Sequence, residues 1–397
     1  MRGKALRAGI QFVVALLLFG GGERAFAADP LFDQTRLHDV RLYVAPEDWQ
    51  TLRENYLSDD YYVANVSLDG LVIRTVGIRS RGSGSRSGQK PALKIDMNEY
   101  VDQDYHGYKE LILRNVVQDP SFLRERLAFM VFEGMGIAAP QNAFCRLYVN
   151  DEYFGLYEVE EPVGKPFLKE RLGEDKGNLF DYEYTSPYDL SFRSDDPHAY
   201  IPYPFKPETN EDDLDASGLV DFIRAVNGAP DERFVRDMGA WLDLPKFLTY
   251  VAVENVLAAT DGFLGKEGMN NFFLYQYDKQ RRFTFIPWDK DTILAHPSFP
   301  IMGGVETNVL TRRLLRDPAM QQIYARALYE TATRFVNQRY LIPRLETAYQ
   351  QVREAALADP NKPYTNEQFE DAVGGLRGVI LAREADVVAQ TGVVASP

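Results

Sequence analysis

The chain lacks most of the residues that staple or metallate a protein. Its 397 residues hold a single cysteine, Cys145, so no internal disulfide can form. That cysteine stands in a strand-like run at 144–148, where a buried thiol is expected. The four histidines, His38, His106, His198 and His296, lie far apart; with one cysteine they make no zinc-ligand spacing. No GxxxxGK[ST] phosphate loop and no GxSxG nucleophile elbow occurs. Basic residues are also in deficit. Lys+Arg number 44 against 58 Asp+Glu, a net charge of −14, which argues against a nucleic-acid partner. Past residue 27 no apolar run is long enough to span a bilayer.

The chain opens with an export leader. Arg2, Lys4 and Arg7 precede a mostly apolar run at 8–19. Ala25-Phe26-Ala27 fits the small-x-small cleavage pattern, so residues 1–27 read as a signal peptide, with an uncleaved anchor as the alternative. The mature chain is therefore expected to be exported, periplasmic or extracellular. No transmembrane segment remains after cleavage.

Alternating apolar runs predict strands at 40–44, 61–67, 71–78, 90–96, 108–115, 144–150, 153–160 and 177–182. Asp69-Gly70 and Asn150-Asp151-Glu152 mark hairpin turns. Asp119-Pro120 predicts a helix over 120–134, with Asp119 as its N-cap. Residues 185–215, rich in Pro, Tyr, Ser and Asp, read as an irregular insertion. The acidic run 211–215 within it reads as exposed surface; it lacks the spacing of a calcium loop. Helical patterns dominate from 219 onward, the last over 364–390 with a break expected at Gly374-Gly375. The fold class is therefore α+β, with a strand-rich part (28–161) and a mainly helical part (162–397).

The chemistry concentrates in 255–295. An apolar segment breaks at Thr260-Asp261-Gly262, and Asn270-Asn271 precede two strands, 272–277 and 282–287. The second strand runs into Trp288-Asp289-Lys290-Asp291. Three carboxylates and an amide thus sit at element ends that a hairpin can gather. Such a set can hold magnesium against a triphosphate and orient a hydroxyl. The bland alternative is a turn at Asp261-Gly262 and a capped strand end at Asp289/Asp291. Upstream, the basic Gly/Ser run 79–88 leads into a strand whose Lys90 and Lys94 share a face and suit phosphate contact; a solvated hairpin tip is the alternative. Glu125, on the expected helix, is placed to pair with such a lysine or to lie exposed between Arg124 and Arg126.

Several of these segments, in this order, resemble the CotH kinase-like family: KPALKID, DPSFLRERLA, LYVNDEYFGLYEVEEPV, GNLFDY, ATDG, NNFFLY and FIPWDKD. The resemblance spans roughly 40–335. It implies a two-lobed, atypical protein-kinase-like fold and an exported kinase using ATP and Mg2+ (or Mn2+). The expected partner is a protein substrate of the envelope or extracellular matrix, phosphorylated on Ser or Thr. A non-catalytic pseudokinase with a structural or binding role in the envelope is the alternative. By the resemblance Asp261 is the catalytic aspartate. Asp289, with Asp291 beside it, and Asn271 (or Asn270) are metal ligands. Lys90 or Lys94 holds the phosphates, and Glu160 or Glu161 lies beside the adenine. The segment GFLGKEGMN between Asp261 and Asn271 is longer than the four-residue gap of ordinary kinases.

Overall fold

The computed structural model describes residues 30–392; the expected leader lies outside them, as do the last five residues of the tail. Seven strands close into a barrel: β1 (His38–Val44), β2 (Tyr62–Leu68), β3 (Leu71–Ser80), β4 (Leu93–Asp96), β5 (Glu110–Arg114), β6 (Asn142–Val149) and β7 (Glu152–Glu160). Their order around the barrel is β1-β2-β3-β4-β5-β7-β6. Neighbours are antiparallel except where the barrel closes: β1 runs parallel to β6, His38 opposite Cys145. Alternation drives the closure, since β1 buries every second residue and its Val40 and Leu42 meet Val66, Ile78, Ile95, Leu113 and Leu147 inside. Cys145 belongs to this interior, and burial pushes its thiol pKa well up. It is a packing residue, as expected.

Two helices interrupt the barrel strands, α1 (Pro46–Glu54) and α2 (Arg124–Gly134). The expected start of α2 is corrected. The Asp119 carboxylate accepts from Ser121 N and Oγ and from Arg124 N, and Phe122 adopts φ +60°. A tight turn therefore occupies 119–123, and the helix begins four residues later than expected.

Beyond the barrel, α3 (Lys165–Leu172) leads to a second, four-stranded antiparallel sheet. Its strands are β8 (Asn178–Tyr182), β9 (Phe205–Pro207), β10 (Phe272–Gln276) and β11 (Phe283–Pro287), in the order β11-β10-β8-β9. The expected irregular insertion thus supplies one edge strand. Helices α4 (Ser217–Gly228), α5 (Phe234–Met238), α6 (Leu244–Val256), α7 (Val309–Leu314), α8 (Pro318–Arg334), α9 (Leu341–Ala358) and α10 (Asn366–Thr391) form the rest. The break expected at Gly374-Gly375 is absent. Thr365 and Gln368 cap α10 reciprocally, and burial of Phe369, Val373, Leu376 and Ile380 holds its turns through the glycines. Among the described residues no helix is long and apolar enough to cross a membrane.

One buried contact straps the helical part to the barrel. Asp359, just past α9, accepts from Lys90 Nζ at 2.8 Å and from Leu156 N at 3.0 Å. Gly155 makes room for it, since a Cβ there would stand 2.6 Å from Asp359 Oδ1.

Candidate functional site

The β10–β11 hairpin gathers the acid–amide set. Its register puts Phe272 opposite Pro287, and Trp288 N donates to Asn271 O at 3.3 Å. Asn271 and Asp289 therefore flank the open end of the hairpin. Both take left-handed backbone conformations, φ +56° and +48°, which non-glycine residues adopt at a cost. Asn271 Nδ2 donates to Asp261 O at 2.7 Å and to Asp261 Oδ2 at 3.1 Å, and Asn270 Nδ2 donates to Asp261 Oδ1 at 3.0 Å. Asp261 is exposed, with both carboxylate oxygens steadied by amides. The long segment between Asp261 and Asn271 buries Phe263, Leu264 and Met269 in the core and leaves the Asp261 and Asn271 side chains in contact.

The loop carrying Asp261 hangs from a buried anchor. Glu254 of α6 accepts from Phe263 N at 2.7 Å and from the Tyr250 hydroxyl at 3.0 Å. Lys290 Nζ lies 2.6 Å from its Oε1 and also donates to Asn271 O at 2.8 Å. One ammonium therefore connects α6, the Asn271 turn and the segment after β11.

Arg114, at the end of β5, is the hub of the site. Its Nε lies 2.9 Å from Glu125 Oε2 of α2, and its Nη1 lies 3.5 Å from Glu160 Oε2 of β7. Its Nη2 donates to Asp289 and stands 3.7 Å from Asp291 Oδ2. Burial alone would raise the Asp289 pKa, but Arg114, with Arg81 and Lys290, holds it below the usual aspartate value. Asp291 is pushed up to about 8, first by burial and then by the Asp289 charge. Glu160 also rises to about 8, through burial opposed by Arg114 and Arg81. Its Oε1 is buried without a hydrogen-bond partner.

The charges do not balance. Asp289, Asp291, Glu125, Glu160 and Glu254 face Arg114, Arg81 and Lys290. With Asp261, whose charge also acts on Asp291, six carboxylates face three cations, and ionising all of them would leave an excess of negative charge for a cation to offset. Among the described residues no three His, Cys, Asp or Glu side chains are placed to hold a metal by themselves. Magnesium takes one or two carboxylates and completes its shell with water and substrate phosphates. Asp289, Asp291 and the Asn271 Oδ1, which accepts no hydrogen bond among the described residues, are the oxygen donors at this mouth.

Asp261, Asn271, Asp289 and Asp291 are thus brought together. Glu125 joins them, but its partner is Arg114 rather than a lysine, and its Oε1 accepts from Lys290 N at 3.0 Å. Lys90 and Lys94 stand apart from Asp289: Lys90 is spent on Asp359 and Leu156 O, and Lys94 pairs with Glu110 and Asp96. Glu161 turns to Tyr108, Gln141 N and Arg171. Sequence reasoning missed Arg114, Arg81, Glu254 and Lys290. Of these, Lys290 carried a signal in its place between two aspartates, and Arg81 in its place in the basic Gly/Ser run 79–88.

The family model described as CotH kinase protein matches residues 78–387. Over 352 residues the chain is 27% identical to Inner spore coat protein H of Bacillus subtilis (strain 168), covering 85% of this chain and 93% of that protein. It is 20% identical to Spore coat protein homolog 1 of Rhizopus delemar, covering 83% of this chain and 56% of that protein. Invasin CotH7 of the same organism is also 20% identical, with 81% and 56% covered. The chain spans about half the length of these two Rhizopus proteins.

Proposed function

The chain belongs to the CotH kinase protein family, and we propose that it is an exported, envelope-associated protein kinase. It would use ATP and Mg2+ (or Mn2+) to phosphorylate Ser or Thr of an envelope or extracellular-matrix protein. The barrel with α2 would then act as the smaller lobe of an atypical kinase, and the second sheet with the later helices as the larger. The observation that carries this reading is the meeting of Asp261, Asn271, Asp289 and Asp291 at one hairpin mouth, in surroundings short of positive charge.

Asp289, Asp291 and Asn271 would hold the magnesium, which when bound offsets the charge of the phosphates. The chain beside Glu160 and Glu161, where β7 ends, would border the adenine. Asp261 has a different task. Exposed, and oriented by two amide donors, it would align the acceptor hydroxyl and take its proton. As that proton leaves, the hydroxyl oxygen bonds to the γ-phosphorus, the bond to the bridging oxygen breaks, and ADP departs.

The test is incubation of the mature chain, from Ala28 onward, with γ-labelled ATP, Mg2+ or Mn2+, and an added protein acceptor. Label should enter protein. Asp289→Ala should abolish metal-dependent nucleotide binding, and Asp261→Ala should bind nucleotide without transferring. Undiminished transfer by Asp289→Ala would sink the assignment.

A second reading is a non-catalytic coat or matrix protein. It draws on the Arg114–Asp289 contact, which occupies a carboxylate the metal needs, and on the relatives' names, which speak of spore coats and invasion. It expects no transfer from the unaltered chain.

A further inference from the structure

We infer that Arg81 and Arg114, rather than Lys90 or Lys94, are the cations this site offers to nucleotide phosphates; the inference rests on the phosphotransfer reading above. A polyphosphate entering a site rich in carboxylates needs nearby positive groups that keep N–H donors for it.

Neither lysine has them. The Lys90 side chain is 1% exposed and its Nζ sits 2.8 Å from Asp359 Oδ2, against the rings of Phe122 and Tyr157. Moving it would leave Asp359, whose side chain is 0% exposed, buried without its counter-charge. Lys94 lies on β4 between Arg79 and Ile112 of the neighbouring strands, and its ammonium is held by Glu110 and Asp96.

Arg81 is the opposite case. It follows β3 directly, at the root of the Gly/Ser loop, and its backbone N–H is fixed to Ala92 O at 3.0 Å. The guanidinium lies 5.9 Å from the centre of the Trp288 ring, beside Asp289. Among the described residues it makes no side-chain hydrogen bond or ion pair, although it is more than half buried. Desolvating a guanidinium without spending its donors is costly unless an anion is to arrive. Arg114 complements it. Glu125 and Glu160 fix the plane of its fork, and Nη2 donates one N–H to Asp289, which leaves its second hydrogen for an incoming phosphate oxygen. The two arginines are also tied through the next residue. Asn115 Nδ2 donates to Ser85 O at 2.9 Å and Lys90 O at 2.7 Å, so the end of β5 positions the loop that carries Arg81.

The experiment is calorimetric titration of the mature chain with ATP and Mg2+, alongside Arg81→Met, Arg81→Lys, Arg114→Lys and Lys94→Met. Adenosine serves as the phosphate-free probe, and thermal melts report folding. Arg81→Met should weaken ATP about tenfold or more, as expected for a lost charge-assisted phosphate contact, and leave adenosine unchanged. Arg81→Lys should recover part of the loss, and Arg114→Lys should weaken ATP selectively. Lys94→Met should match the unaltered chain. Unchanged ATP affinity in Arg81→Met, or selective loss in Lys94→Met, would overturn the inference while the kinase reading survived. No uptake of ATP by the unaltered chain would remove both.

Discussion

Lys290 and Glu254 form a buried ion pair, Nζ to Oε1 at 2.6 Å, with 1% of each side chain exposed. The same ammonium donates to Asn271 O, and the same carboxylate accepts from Phe263 N. The pair therefore sets the distance between the Asp261 loop and the Asp289 segment. Lys290→Met would leave Glu254 charged and unpaired, at a cost of about 3–5 kcal/mol. Lys290→Met with Glu254→Gln should lose less than the two single losses added together. Urea unfolding of the four proteins checks this; simple additivity would show that the two groups do not depend on each other.

Gly262 is fixed by the same anchor. A Cβ at this position would stand 2.2 Å from Glu254 Oε2, and that carboxylate is held from three sides. Gly262→Ala should therefore displace the loop and destabilise the chain by about 1–3 kcal/mol. Gly84 has nothing within 4 Å of its would-be Cβ, so Gly84→Ala should stay within about 0.5 kcal/mol of the parent. Equal unfolding midpoints for the two variants would refute the steric account.

The glycines inside α10 should behave differently again. Gly374, Gly375 and Gly378 have open space where a Cβ would be, and all three are helical. Alanine at each should raise stability by about 0.5–1 kcal/mol, because it removes backbone freedom from the unfolded chain. Thermal melting of the triple variant reads the sum. A lowered midpoint would mean that these positions are needed as a hinge.

Asp181 of β8 supplies a pH dependence. Burial raises its pKa from 3.8 to about 7, with Glu208 and Glu183 adding to the rise and Lys206 and Arg81 opposing it. The folded chain thus keeps this proton over a range in which the unfolded chain has released it. The stability contributed by this group falls as pH rises from about 4 to about 7 and is flat beyond. Asp181→Asn removes that dependence. Relative to the parent it should gain up to about 2 kcal/mol between pH 5 and pH 8. Parallel pH–stability curves would show that Asp181 ionises normally.

Much of this architecture was readable where the information is local. Asp69-Gly70 and Asn150-Asp151 announce their hairpins, because left-handed turn positions select such residues. The nearness of Asn271 and Asp289 follows from the short link between the strands expected at 272–277 and 282–287, which pair as a hairpin. Arg114 was not readable. It ends an ordinary strand, ELILR, and its role exists only because Glu125, Glu160 and Asp289 approach it from three other elements. Lys90 misled for the same reason: its partner, Asp359, lies in the connection after α9. The start of α2 was misjudged because Asp119 caps a turn rather than the helix itself. The α10 glycines predict a break by propensity, and the burial of Phe369, Val373, Leu376 and Ile380 outweighs it.

The parallel seam between β1 and β6 also constrains how the molecule comes into being. His38 finds its partner at Cys145, roughly a hundred residues later, so β1 can hold only β2 while the intervening chain is being made. Closing so long a loop is an entropic cost met before any seam contact forms. The last ladder to assemble should be this one, and until then two unpaired strand edges stay open to other chains. A growing polypeptide is thus most vulnerable to association before about residue 160 has emerged, and a chaperone that masks exposed strand edges would serve it best in that interval.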